Sequence, residues 1–148
     1  MEKNLISLYE DLSKEDNCGI NFWTPQNKGI NSFSSYKSLY FESKKIAQQL
    51  HNIGVKKGDP VIIILPTCKE FVSSFMGAMM IGAIPAALYP PMRLGKIEVW
   101  KDKTIKCIHK VEAKVVLTNK RVSNFLGEVL HKSNTSNHCY DIQKILKS

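Results

Sequence analysis

DPVIIILPTCKEFVSSFMGAMMIGAIPAALYP, residues 59–90, holds the plan of the fold. Its opening run from Pro60 to Leu65 is short, β-branched and apolar throughout, the composition of a strand covered on both faces. Pro66 stops that strand. Thr67 and Glu70 then form a T-x-x-E capping box, in which two side chains satisfy backbone donors at a helix start. Phe71, Phe75, Ala78, Met79 and Gly82 line one face of the helix, and this aromatic and methionine stripe reads as core packing rather than a cofactor box. Residues 84–89 form the next strand, with Pro85 at its beginning, where a missing donor is tolerated. Strand, helix and strand over residues 61–89 make a β-α-β unit whose crossover is expected to be right-handed.

The pattern extends in both directions. Leu5, Leu8, Tyr9 and Leu12 recur at helical spacing, so the chain opens with a short amphipathic helix. Residues 20–23 and 30–33 flank the turn-prone segment TPQNKG at 24–29 and predict a hairpin. Ser35 caps a helix whose apolar face carries Leu39, Ile46, Leu50 and Ile53, with the polar positions facing water, and Gly54 ends it in a left-handed conformation. Beyond the opening unit, Ile97, Trp100, Ile105, Ile108 and Val111 predict a further helix. Residues 114–118 predict a third strand, and Val122, Phe125, Leu126 and Val129 another helix. A polar stretch, 132–137, precedes a final apolar scatter at Tyr140, Ile142, Ile145 and Leu146. Alternation of strand and helix makes the fold class α/β.

Bulk properties narrow the function. The chain has 148 residues, 43% hydrophobic and 23% charged, which is the composition of one ordinary globular domain. No apolar run approaches the roughly 20 residues that a membrane-spanning helix needs. The acidic, charge-broken amino terminus lacks the features of a secretory signal, so a cytoplasmic location is the expectation. Cys18, Cys68, Cys107 and Cys139 are scattered without a C-x-x-C pair, which predicts reduced thiols rather than a disulfide scaffold or a zinc site. Cys107 with His109, and His138 with Cys139, likewise lack metal-ligand spacing. Cys68 at a helix start would be a nucleophile if a base adjoined it; with no base assignable, it reads as a small, partly buried residue.

The net charge of +8 is uneven. Arg93, Lys96, Lys101, Lys103, Lys106, Lys110, Lys114, Lys120 and Arg121 fall in one region, opposed there only by Glu98, Asp102 and Glu112. No aromatic or glycine motif of a nucleic-acid reader accompanies them, so nucleic acid is not an expected partner; a solvated helix face is the plainer reading, and an acidic protein or phosphorylated cofactor stays open. No G-x-G-x-x-G or Walker pattern appears, and the junction Leu65-Pro66-Thr67-Cys68 has no glycine to form a phosphate cradle. Residue chemistry alone thus yields an α/β domain and no reaction.

Motif order carries more. The segment SYKSLYFESKKIAQQLHNIGVKKGDPVIIILPTCKEFVSSFMGAMMIGAIPAALYPP resembles the amino-terminal part of the adenylate-forming superfamily, which comprises acyl-CoA synthetases, fatty-acyl-AMP ligases and adenylation domains. The continuation YPPMRLGKIEVWKDKTIKCIHKVEAKVVLT is most similar to the fatty-acyl-AMP ligase branch. The resemblance implies a partial amino-terminal subdomain over residues 1–148, with a parallel sheet, flanking helices and an amino-terminal hairpin. It also implies a complete enzyme that uses MgATP to convert a fatty acid to an acyl-adenylate and passes the acyl group to an acyl carrier protein. Family motifs for ATP, ribose and the catalytic lysine lie downstream of the part resembled, so no catalytic residue is assigned. The 148-residue chain alone is expected to be inactive, to bind no cofactor and to self-associate through uncovered apolar surface. The resemblance implies that Tyr89, Pro90 and Pro91 stand where CoA-using relatives have flexible glycines near the nucleotide, with Arg93 following them. They read as an acceptor-side wall disfavouring free CoA, with Arg93 meeting a carrier-protein phosphate, or as a rigid connector with an exposed arginine. A non-catalytic interaction module and an acyl-CoA ligase remain the alternatives.

Overall fold

A computed structural model of the chain describes residues 3–23, 32–91, 94–132 and 138–147, with residues 94, 128, 129, 131, 132 and 138 described by backbone alone. The order is α1 (Leu5–Leu12), β1 (Gly19–Phe22), β2 (Ser32–Ser35), α2 (Tyr36–Asn52), β3 (Pro60–Ile64), α3 (Lys69–Met80), β4 (Ile84–Ala87), α4 (Ile97–Lys110), β5 (Val115–Thr118), α5 (Lys120–Lys132), β6 (His138–Asp141) and α6 (Ile142–Lys147). β1 and β2 pair as an antiparallel hairpin, and the other four strands form a parallel sheet in the order β4-β3-β5-β6.

Strand alternation separates two cores. Val61, Ile63, Val115 and Leu117 point to the side covered by α2, α3 and α6 through Ile46, Leu50, Ala78, Ile142 and Ile145. Ile62, Ile64 and Val116 point to the other side, covered by Ile108 of α4 and by Val122, Leu126 and Leu130 of α5. The chain leaves β3 through α3 on one face and returns past it through α4 on the other, as crossovers of one hand require when their direction reverses. Helix α1 lies outside this sandwich, where Tyr9 packs with Leu39 of α2 and Met76 of α3.

Several boundaries differ from expectation. β2 is described over Ser32–Ser35, two residues past the expected end at 33, while residues 30 and 31 lie outside the described residues; its serines pair through backbone bonds to β1 that hydropathy does not register. The 24–29 loop lies outside the described residues. Ser35 does cap α2, accepting from the Ser38 N–H at 3.2 Å. Gly54 does end it at φ +89°, with Val55 N–H donating to the Leu50 carbonyl at 3.0 Å. The same six-to-one closure, Ala113 to Ile108, ends α4 with the non-glycine Glu112 at φ 51°, which turns Val111 out to solvent.

Thr67 does not cap α3. The helix starts one residue later with Cys68 at the cap position and no side-chain cap bond, so Glu70 serves as first-turn negative charge and accepts from Gln143 Nε2 of α6 at 3.1 Å. The inner stripe of α3 is also different: Ser73, Ser74, Met76, Gly77 and Ala78 are buried, Phe71, Phe75 and Met79 are half-buried, and Gly82 lies past the helix end at φ +72°. The reason is α2. A Cβ on Gly77 would stand 2.8 Å from the Ser43 carbonyl oxygen, so the two helices meet through small residues while the larger ones fill the flanks. Likewise Thr104, not Ile105, is buried beneath α4.

β4 ends at Ala87, two residues short of expectation, and Pro85 is its second residue. Ile84 N–H donates inward to Asp59 and Leu88 N–H to Ile63, so by the alternation of strand donors the amide position of Pro85 faces the free edge, where nothing is lost. β6 has no strand signal in its sequence, HCYD, because backbone pairing to β5 rather than an apolar run makes it a strand.

Candidate functional site

Strand order reverses between β3 and β5, and in open α/β sheets the crevice at the carboxyl ends of strands at such a point is where ligands bind. Thr118 at the end of β5 donates its hydroxyl to the Ile64 carbonyl at 2.8 Å, pinning the two strand ends together. Beside them is a cleft of about 220 Å³ lined by Leu65, Thr67, Phe71, Ala87, Leu88 and Tyr89.

Two elements hold this cleft in shape. On the α3 side, the Glu42 carboxylate accepts from Lys69 Nζ at 2.8 Å and from Ser73 Oγ at 3.2 Å, tying the first turn of α3 to α2. Glu42 has a side chain only 17% exposed and buried Ser43 is its neighbour, so the polar residues of α2 do not all face water. On the β4 side, Trp100 Nε1 donates to the Tyr89 carbonyl at 2.8 Å and fixes the loop that leaves the sheet. Tyr89 itself is 83% exposed at the cleft mouth, Pro90 and Pro91 are half-buried behind it, and Arg93 lies outside the described residues. The structure thus brings Tyr89 to the cleft through a rigid loop. Glu42, Trp100 and Thr118 escape sequence reasoning, although Ser43 repeats with Leu39, Ile46 and Leu50 at helical spacing and so marks that face of α2 as inward.

The lining offers apolar contact, one hydroxyl from Thr67 and the phenol of Tyr89. Among the described residues it contains no cation to meet a triphosphate and no carboxylate to hold magnesium. Among the described residues no three His, Cys, Asp or Glu side chains converge as metal ligands. The Cys68 thiol is pushed up to about 11, first by burial, and Cys139 likewise, so neither has the thiolate character of a nucleophile. We expect iodoacetamide at neutral pH to modify exposed Cys18 and Cys107 well before Cys68 and Cys139. Mass mapping of a time course that found Cys68 labelled first would contradict this assignment.

Residues 25–148 match the family described as AMP-binding enzyme. The chain belongs to that family. Among its curated relatives, 4-coumarate:CoA ligase 1 of Petunia hybrida is 27% identical over 115 residues, which cover 78% of this chain and 20% of the relative. Crotonobetaine/carnitine–CoA ligase of Salmonella paratyphi A is 32% identical over 100 residues, 66% of this chain and 19% of the relative. Among solved structures, a fatty acyl-adenylate ligase from work on the E. coli and L. pneumophila enzymes superposes with a TM-score of 0.86 at 20% identity, over 95% of this chain and 25% of that one. The adenylation domain of a keto acid-selecting NRPS module does so with a TM-score of 0.81 at 17% identity, over 96% of this chain and 26% of that one. The α/β architecture is therefore that of the amino-terminal part of adenylate-forming ligases. The chain spans about a fifth of the length of the curated relatives it matches. Among the described residues no helix is long and apolar enough to cross a membrane.

Proposed function

We propose that residues 1–148 supply the amino-terminal part of a cytoplasmic fatty-acyl-AMP ligase. In this reading the complete enzyme uses ATP and magnesium to activate a fatty acid as its adenylate and transfers the acyl group to an acyl carrier protein. The observation that carries it is the family match over residues 25–148, joined to the Tyr89-Pro90-Pro91 loop at the cleft. A rigid loop without glycine keeps its backbone from close approach to a phosphate, and each proline withholds a donor. In this reading Tyr89, Pro90 and Pro91 form an acceptor-side wall that disfavours free CoA, and Arg93, outside the described residues, is assigned to meet the carrier's phosphate.

In the same reading the 148 residues by themselves are inactive, in keeping with a described cleft lining that has no charged group to bind a nucleotide or stabilise phosphoryl transfer. Exposed Ile84 on the free edge strand, together with Leu5, Leu8 and Leu12, favours self-association of the isolated chain. A second reading, part of an acyl-CoA ligase, is favoured by the curated relatives being CoA ligases.

Fatty-acid-dependent exchange of pyrophosphate into ATP tests the proposal. The chain alone should show none, whereas a chimera carrying it in place of the matching segment of a fatty-acyl-AMP ligase should regain exchange and acylate a carrier protein in preference to CoA. Pro90→Gly with Pro91→Gly in that chimera should raise CoA use about tenfold relative to carrier, the size of one lost discriminating contact set. Exchange by the chain alone would end the claim of inactivity, and unchanged CoA use would end the role given to the prolines.

A further inference from the structure

Helix α4 carries a feature that the ligase reading leaves unused. Its inner side, at Trp100, Thr104 and Ile108, packs toward the sheet. On the outer side Val99, Lys103, Lys106 and Lys110 follow one another at steps of four, three and four residues, with Lys96 at the helix cap before them, and all five are exposed. Such spacing makes a single line along about 17 Å of helix from Val99 to Lys110. None of the four lysines forms an ion pair among the described residues. Neighbouring like charges at these steps repel, a cost that only Lys110, in the last turn, offsets through the helix dipole. Glu98 and Asp102 lie alongside on the same exposed side, Glu98 paired with Lys101 at 3.0 Å, which keeps the basic line narrow.

We propose that this line docks an acidic helix of a partner protein. Width decides the occupant. A flat anionic membrane would meet Glu98 and Asp102 together with the lysines, and those carboxylates would oppose it. Nucleic acid is also ill served, since the line offers no aromatic or bidentate side chain to stack on or read a base. A helix bearing carboxylates at the same three-and-four spacing touches the lysines alone and places one apolar residue against Val99.

The test is fluorescence anisotropy with the full chain and a labelled helical peptide carrying glutamates at that spacing. A peptide of the same composition with its glutamates distributed around the helix is the comparison. Preference for the ordered peptide by about tenfold is expected, weakening with added salt. K103E/K106E/K110E should lose about tenfold or more, K103Q/K106Q/K110Q should fall between that and the parent, and K44E/K45E/K56E in the opposite layer should stay within about twofold. Circular dichroism melts establish that each variant is folded. Equal binding of the two peptides, or equal loss in the opposite-layer variant, would overturn the proposal. So would stripe-dependent binding of phosphatidylserine vesicles or duplex DNA without binding of the peptide. Neither ATP nor fatty acid enters the assay, so its outcome is separate from that of the ligase reading.

Discussion

Gly77→Val is expected to lower the stability of the chain by about 3 kcal/mol or more, the upper end for overpacking a tight interface with a β-branched residue. The added Cβ would stand 2.8 Å from the Ser43 carbonyl oxygen and 3.1 Å from Ile46 Cβ. The first of these is backbone in the middle of α2 and has no rotamer by which to retreat, so the helices must separate. Gly77→Ala should also destabilise, although alanine gains about 1 kcal/mol in helix propensity over glycine. Gly127 in α5 provides the opposite sign. A Cβ there meets nothing within 4 Å, so Gly127→Ala should stabilise by up to about 1 kcal/mol. Urea denaturation of the three variants reads both effects, and a Gly77→Ala protein more stable than the parent would refute the account of α2 against α3.

Alkali should destabilise the protein progressively between about pH 9 and 12. Burial raises Tyr9 from 10.0 to about 12, and raises Cys68 and Cys139 from 9.0 to about 11. For each group the native pKa lies above the unfolded value, so the unfolded state releases its proton first as pH rises. The stability they represent is fully present below about pH 9 and is lost as pH climbs through the native values. Tyr9 is nearly fully buried beneath α2, and its share is lost between about pH 10 and 12; Cys68 and Cys139 are both partly exposed, and their shares are discounted for solvent screening. Together the loss is of the order of several kcal/mol, since a tenfold difference in proton affinity between the folded and unfolded states corresponds to about 1.4 kcal/mol. Tyr9 Oη lies 3.2 Å from Ser43 Oγ, which keeps its own bond to the Leu39 carbonyl at 2.8 Å. Tyr9→Phe therefore sacrifices about 1 kcal/mol at neutral pH and flattens the alkaline decline. Denaturant midpoints that fell equally steeply between pH 10 and 12 in Tyr9→Phe would show that another group controls the decline there.

The two results also mark where sequence reading succeeds and stops. Runs such as PVIII and VVLT are buried on both sides whatever their neighbours do, and a strand covered on both faces has few other ways to hide that much β-branched surface. Gly54 adopts the left-handed turn that ends its helix, a constraint local to a few residues. By contrast, β6 exists because β5 offers an edge, not because HCYD is apolar.

Periodicity and turn chemistry within a few residues suffice for the α/β alternation and for the motif order that identifies the family. Which side of α3 is small, that Glu42 reaches across to Lys69 and Ser73, and that Trp100 holds the Tyr89 carbonyl emerge only once the elements are packed together. Those contacts join residues 11 to 31 positions apart. Their free energy depends on the distance and orientation between packed elements, quantities that no local pattern encodes.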